Sequence, residues 1–382
     1  FIVNLPKRNA FECVKNIAAL LVSIGLLAIV LEGIVFRFIL PPSDLPLLQE
    51  METRESVLKY MPDQQGIYRK QNDIAAEYQI NSNGWNSGYS EYSVKKGKNE
   101  RRICIIGDSY IEALQVRYDR SVAEILERNL SSGEERSTVF RFGLSGAPLS
   151  QYIFMLEHEV LDFHPDVVII NLVHNDFDES VRTTGGSYDR GFAKFRYAED
   201  HTMTLESPKI YKRDAIWWIK RSASFRYWRV RREVDLARAR KALIELLNPE
   251  QIDSKNEVSA NTVIRRDTLA IVEDVTRYAF AYIKQLSHDY QFRPIVIIDG
   301  DGSEIMSSVD SNLPSRAKTR KVNELVVKIA NELSLEVVDL WPIFENEYQM
   351  KKKRLTFESD GHWPPYVHEL VANTLASAIS EK

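Results

Sequence analysis

The chain has 382 residues, 44% hydrophobic and 27% charged, enough for one large α/β domain or two smaller ones with an ordinary core. A net charge of -4 gives no basic footprint for a nucleic-acid partner. Two cysteines exclude a disulfide framework, and no Cys/His cluster or Gly-rich phosphate loop is present, so neither a metal nor a cofactor is implied. Cys13 and Cys104 both read as packing residues.

The first 40 residues differ from the rest. No charge falls between Ile17 and Leu31, and Gly33–Phe36 extends the apolar run past Glu32. Twenty residues from Ile17 to Phe36 make a helix about 30 Å long, enough to cross a bilayer core. A cleaved signal peptide or a buried core helix gives the same pattern. Pro41-Pro42 follows directly and no small-x-small cleavage signal is evident, which favours a retained anchor over residues 1–40. Glu32 must then lie near an interface or find a partner, and Arg37 is its obvious helical neighbour. Lys7, Arg8 and Lys15 precede the span while Asp44, Glu50 and Glu52 follow it. By the positive-inside rule the N-terminus stays cytoplasmic and the C-terminal part is exported, in a bacterial cytoplasmic membrane to the periplasmic side.

Residues 41–100 read as a linker with little core signal, turn-rich around Ile80–Gly88. From Arg102 the character changes. A strand over Arg102–Ile106 ends at Gly107-Asp108-Ser109, and a helical pattern follows over Ile111–Leu130. Further strands are predicted at Val139–Phe142, Asp166–Leu172, Pro294–Ile298 and Glu336–Leu340. Helices are predicted at Gln151–Phe163, about Arg266–Asp289, about Lys318–Leu333 and about Val367–Ile379. This alternation predicts an α/β fold with a five-stranded parallel sheet covered by helices on both faces. Residues 177–262 are too long for an ordinary connection and read as an insertion with helical content.

In such a sheet ligands bind beyond the carboxyl ends of the strands. Ser109 stands at that edge, where a helix N-terminus favours developing negative charge. Taken alone it is as readily a helix N-cap. Other strand ends carry complementary groups: Gly143-Leu144-Ser145-Gly146, His174-Asn175-Asp176, and, before the last helix, Asp360-Gly361-His362-Trp363. A nucleophilic serine needs a base oriented by a carboxylate, which His362 and Asp360 supply from one loop. The Ser109 and Gly146 amides and the Asn175 side chain are candidate oxyanion donors.

Over residues 101–382, minus the insertion, the chain resembles the SGNH (GDSL-like) hydrolase superfamily. The four blocks match in order at Gly107-Asp108-Ser109, Gly146, Asn175 and Asp360 with His362. The resemblance implies a flavodoxin-like three-layer α/β/α sandwich, here with a helical insertion and an N-terminal transmembrane helix. It implies a serine esterase acting on acylated carbohydrate or another small ester through Ser109, His362 and Asp360. Two departures stand out. Val173-His174 replaces the usual Gly-x before Asn-Asp, and Asp360-x-His362-Trp363 is one residue shorter than the common Asp-x-x-His. The shorter block resembles the Asp-x-His-Trp element of alginate O-acetyltransferases, whose blocks come in a permuted order not seen here. That likeness raises O-acetyl transfer to a cell-surface polysaccharide, with a membrane acyltransferase as partner, as the alternative to hydrolysis. A catalytically inactive glycan-binding or partner-binding protein is the rival from another class.

The other histidines read as surface or packing residues, a place beside the cleft being the lesser reading for His174. Asp108 and Asp176 read as capping or loop-fixing residues. Within the insertion, Ile216–Arg221 and Phe225–Arg232 interleave Trp, Tyr and Arg, a pattern suited to a sugar, an anionic glycan, a membrane surface or plain packing.

Overall fold

A computed structural model describes residues 7–131, 136–181, 191–197, 202–214, 216–234, 268–311 and 318–380. The chain divides into two units, one of residues 1–44, 69–71 and 214–254, the other of 45–68, 72–213 and 255–382.

The larger unit is built on five parallel strands: β3 (Glu100–Gly107), β4 (Arg136–Gly143), β5 (Val167–Leu172), β8 (Arg293–Ile298) and β9 (Glu336–Asp339). Their order is β4-β3-β5-β8-β9. Side chains alternate across each strand, so successive residues enter different cores. Cys104, Ile106, Val168, Ile170, Val296 and Phe140 join one cluster; Ile103, Ile105, Val167, Ile169, Ile295 and Val139 join the other. The first face is covered by the helices Leu149–His158, Thr268–Tyr290 and Lys318–Glu332, the second by Val122–Leu130, Leu340–Lys351 and Pro365–Ser380. The result is the expected three-layer sandwich. Burial on both faces explains why β5 is apolar at nearly every position.

Several expectations change in detail. The single helix expected over Ile111–Leu130 is interrupted: one turn spans Ser109–Glu112, and Ala113 then adopts a left-handed conformation (φ 53°). A short 3₁₀ turn at Tyr118–Arg120 follows, and Ser121, in extended conformation, starts the helix Val122–Leu130. Residues 41–100 are not devoid of core. Leu58, Tyr60, Tyr78, Ile80, Trp85 and Tyr92 are buried in the first cluster. Isolated aromatics between turn residues have no period, so their burial leaves no sequence pattern. Two strands in this stretch, β1 (Gln64–Lys70) and β2 (Ile74–Ile80), pair as a small sheet. In the insertion, β6 (Lys194–Tyr197) pairs antiparallel with β7 (Met203–Glu206), so its described part is not wholly helical. Residues 235–267, including the predicted helix start at Arg266, lie outside the described residues.

Among its described residues the smaller unit holds one helix, Glu12–Ile39, long and apolar enough to cross a membrane, with mean hydropathy 2.6. Its last turns, Leu31–Ile39, widen to π geometry. Glu32 does not use Arg37; its carboxylate accepts from the Ser222 hydroxyl and from the Ala223 and Ser224 amides. Cys13 is exposed on this helix rather than packed, whereas Cys104 is buried in β3.

Candidate active site

The strand order brings three of the sequence blocks together. β3 lies between β4 and β5, with Gly107 opposite Gly143 and Ile106 opposite Ile170. Chain leaving these three carboxyl ends therefore emerges side by side, carrying Ser109, Gly146 and Asn175. The close fit requires glycine. A Cβ on Gly143 would lie 2.0 Å from the Glu112 amide nitrogen in the serine-bearing turn.

Asp108 caps that turn by accepting the Tyr110 amide at 3.0 Å. Ser109 Oγ lies 2.7 Å from His362 Nε2. On the other side of the ring, His362 Nδ1 hydrogen-bonds Asp360 Oδ1, which also accepts the His362 main-chain amide at 3.0 Å. One carboxylate oxygen thus closes an Asx-type turn and orients the imidazole. A two-residue spacing thus lets one loop make both contacts. The Asp360 side chain is 3% exposed and that of His362 23%, so the carboxylate is shielded while the ring edge stays accessible.

Groups that sequence reasoning missed hold this arrangement. The Tyr110 ring packs on the His362 ring at 4.7 Å between centroids, and its hydroxyl donates to the Gly361 carbonyl at 3.2 Å. Trp363 is buried edge-on to Tyr110 and donates to Asp299 Oδ1 at 2.9 Å. Asp299 directly follows β8, so its place at a further strand end was the available signal. Glu112, 1% exposed, accepts from the Tyr60 and Ser145 hydroxyls, tying the Gly146 loop to the Ser109 turn.

The remaining predicted residues fall as follows. Gly146 has φ 75°, in the region that favours glycine. Asn175 is exposed at the start of the helix Asp176–Val181, and its carbonyl accepts the Glu179 amide. His174 turns to Asn323, its Nε2 2.9 Å from Asn323 Oδ1. Asp176 is fully buried, accepts from Tyr152 and the Val173 amide, and burial raises its pKa well above the usual carboxylate range. It fixes the loop, as expected. Among the described residues no group of His, Cys, Asp or Glu is arranged to hold a metal ion.

Asp108 is also buried, and loss of hydration pushes its pKa up to about 6. A carboxyl whose folded pKa exceeds its unfolded value of 3.8 favours the fold most at low pH. That contribution falls as pH rises from about 4 and is gone above about 6. Asp108→Asn keeps an oxygen for the Tyr110 amide but cannot ionise. In paired urea melts the variant should therefore gain on wild type between pH 4 and 7, by about 1–3 kcal/mol. A pH-independent difference would show that Asp108 does not ionise in that interval.

A profile of the GDSL-like Lipase/Acylhydrolase family matches residues 105–368. The chain belongs to this family and is an SGNH-type ester hydrolase. No curated protein sequence matches it significantly. Among solved structures it is similar to the acetyl xylan esterase AlAXEase, at 12% identity and TM-score 0.40 over 73% of this chain and 99% of that one. An acetyl-xylooligosaccharide esterase from Geobacillus is similar at 13% identity and TM-score 0.40, covering 73% and 94% of the two chains. A lipase/acylhydrolase from Enterococcus faecalis follows at 14% identity and TM-score 0.37, covering 74% and 96%.

Proposed function

We propose that the chain hydrolyses O-acyl esters, acetyl esters foremost, on a cell-surface carbohydrate, with Ser109 as nucleophile, His362 as general base and acid, and Asp360 as its orienting carboxylate. The observation that carries this reading is the chain of contacts from Asp360 through His362 to Ser109 Oγ at 2.7 Å. Ser109 Oγ attacks the ester carbonyl as its proton passes to His362 Nε2. The tetrahedral oxyanion is held by the Ser109 and Gly146 amides and the Asn175 side chain. His362 then protonates the departing sugar oxygen, leaving an acyl-serine. Water, deprotonated by the same imidazole, releases the carboxylic acid and restores Ser109.

The helix Glu12–Ile39 tethers the catalytic unit to the cytoplasmic membrane, on the periplasmic side by the charge asymmetry around it. The Asp360-x-His362-Trp363 block favours one second reading, in which a sugar hydroxyl replaces water and the protein passes acetyl groups to a polysaccharide, with a membrane acyltransferase as donor. The test is to incubate the full-length protein with an O-acetylated oligosaccharide and an unacetylated one of different mass. Hydrolysis gives free acetate alone; transfer gives a 42-Da gain on the acceptor, the mass of an added acetyl group. Absence of both, with the protein folded, would overturn the esterase reading of this site. Asn175→Ala should lower turnover by about 10²–10³-fold with KM little changed, the signature of a lost transition-state donor. An unchanged kcat would remove Asn175 from the oxyanion set.

A further inference from the structure

The smaller unit carries an exposed surface that ester chemistry does not explain. Seven residues before the end of the long helix, Glu32 interrupts an otherwise apolar face, and its carboxylate is covered by Ser222, Ala223 and Ser224 from the insertion. Four residues on, Phe36 is buried against the Tyr227 ring at 5.3 Å and lies 6.3 Å from that of Trp228. The insertion segment is fastened further by Arg226, which pairs with Asp44 at 2.7 Å, and by Arg231, which donates to the Pro41 carbonyl. Segment 216–231 is thus fixed at the C-terminal end of the helix.

What this segment turns outward is not ordinary solvated surface. Trp218 is 71% exposed, Ile219 59% and Trp228 47%, and on the helix itself Phe38 is 79% exposed and Ile39 66%. Lys220, Arg221 and Arg229 are exposed among them, and the Arg221 guanidinium lies 4.6 Å from the Trp217 ring. The helix of 28 residues is about 42 Å long, against a hydrocarbon core of about 30 Å. Its last turns therefore leave the hydrocarbon where Trp and Tyr rings and snorkelling basic side chains are most at ease.

We infer that segment 216–231 is a collar that lies in the outer membrane–water interface around the end of the helix, with Trp218, Ile219 and Trp228 among the upper acyl chains and Lys220, Arg221 and Arg229 on lipid phosphates. The inference rests on the reading of Glu12–Ile39 as a membrane span. The occupant is a lipid surface rather than a glycan because these exposed apolar side chains stand on a segment held against the end of an apolar helix, Trp228 lying 6.3 Å from the Phe36 ring. The collar also gives Glu32 its partners, removing a bare carboxylate from the edge of the hydrocarbon.

The test reconstitutes the full-length chain in phosphatidylcholine/phosphatidylglycerol vesicles, with and without lipid brominated at carbons 6 and 7, which quenches tryptophan on contact. Two of the six tryptophans are placed in lipid, so wild type should lose about a third of its emission, and W218F/W228F almost none. Both proteins should keep full ester turnover, which also verifies the fold of the variant. Quenching that is absent from wild type, or equal in the variant, overturns the collar. So does a Trp218- and Trp228-dependent emission change on adding soluble oligosaccharide without bromine quenching, which assigns the surface to a glycan. Alkaline carbonate extraction separates the premises: a protein released from the vesicles fails the membrane-span reading, and one that stays but is not quenched fails the collar alone.

Discussion

Ser109→Ala should lower turnover of p-nitrophenyl acetate by about 10⁴–10⁶-fold, and His362→Ala by a similar factor. In the proposed mechanism the two residues act on one proton. Without the hydroxyl there is no nucleophile, and without the imidazole the hydroxyl keeps its proton. The double variant should accordingly be little worse than either single one. Asp360→Asn tests a different link. An amide at 360 retains an oxygen for the His362 main-chain amide, so the turn can survive while stabilisation of the imidazolium is lost. A fall of about 10⁴-fold with an unchanged unfolding midpoint is expected. Fluorophosphonate labelling gives a readout independent of substrate, with labelling of wild type and none of Ser109→Ala. Turnover in the Ser109→Ala protein comparable to wild type would show that the acyl group is carried elsewhere.

The second large effect is structural and falls on Gly143→Ala. The added methyl would meet the Glu112 amide nitrogen at 2.0 Å and the Glu112 Cα at 2.5 Å, both main-chain atoms that cannot rotate away. Either β4 or the Ser109–Glu112 turn must move. Overpacking of flexible core side chains costs about 1–3 kcal/mol, so a rigid contact should cost at least about 3 kcal/mol. A displacement of about 1 Å at Ser109, the proposed nucleophile, would by itself lower turnover by about 10²-fold. Urea melts and ester turnover should therefore both fall. Gly361→Ala is the informative contrast, since its Cβ would meet nothing within 4 Å although it sits between Asp360 and His362. Its stability should match wild type within about 0.5 kcal/mol. Equal behaviour of the two variants would mean that the tight approach at Gly143 does not govern the site.

Much of the catalytic unit was legible in the residues themselves because its strands are buried on both faces. Ile103–Ile106 is an unbroken apolar run and Val167–Leu172 is interrupted only by Asn171, and a polar block follows each. A loss of apolar character at the carboxyl end of a buried strand is a local signal, and it singled out Ser109, Gly146 and Asn175 as candidates. The Asp360-x-His362 pair was legible for the same reason, since two residues of one loop need no long-range fold to meet.

What the residues could not disclose depends on distant chain segments meeting. Glu112 looks like a surface residue of a helix until Tyr60 and Ser145 are brought to it. Trp85 and Tyr92 look like turn-segment aromatics until Phe142 and Phe140 are set against them, at 5.3 Å and 4.2 Å. Glu32 looked for its partner one turn away on its own helix and found it about 190 residues later, at the main-chain amides of Ala223 and Ser224. Composition and periodicity determined the five strands of the main sheet and the long apolar helix, because those depend on neighbours in sequence. Only the tertiary structure decided which buried polar groups satisfy one another, because a hydrogen bond is set by proximity in space and leaves no period in the chain.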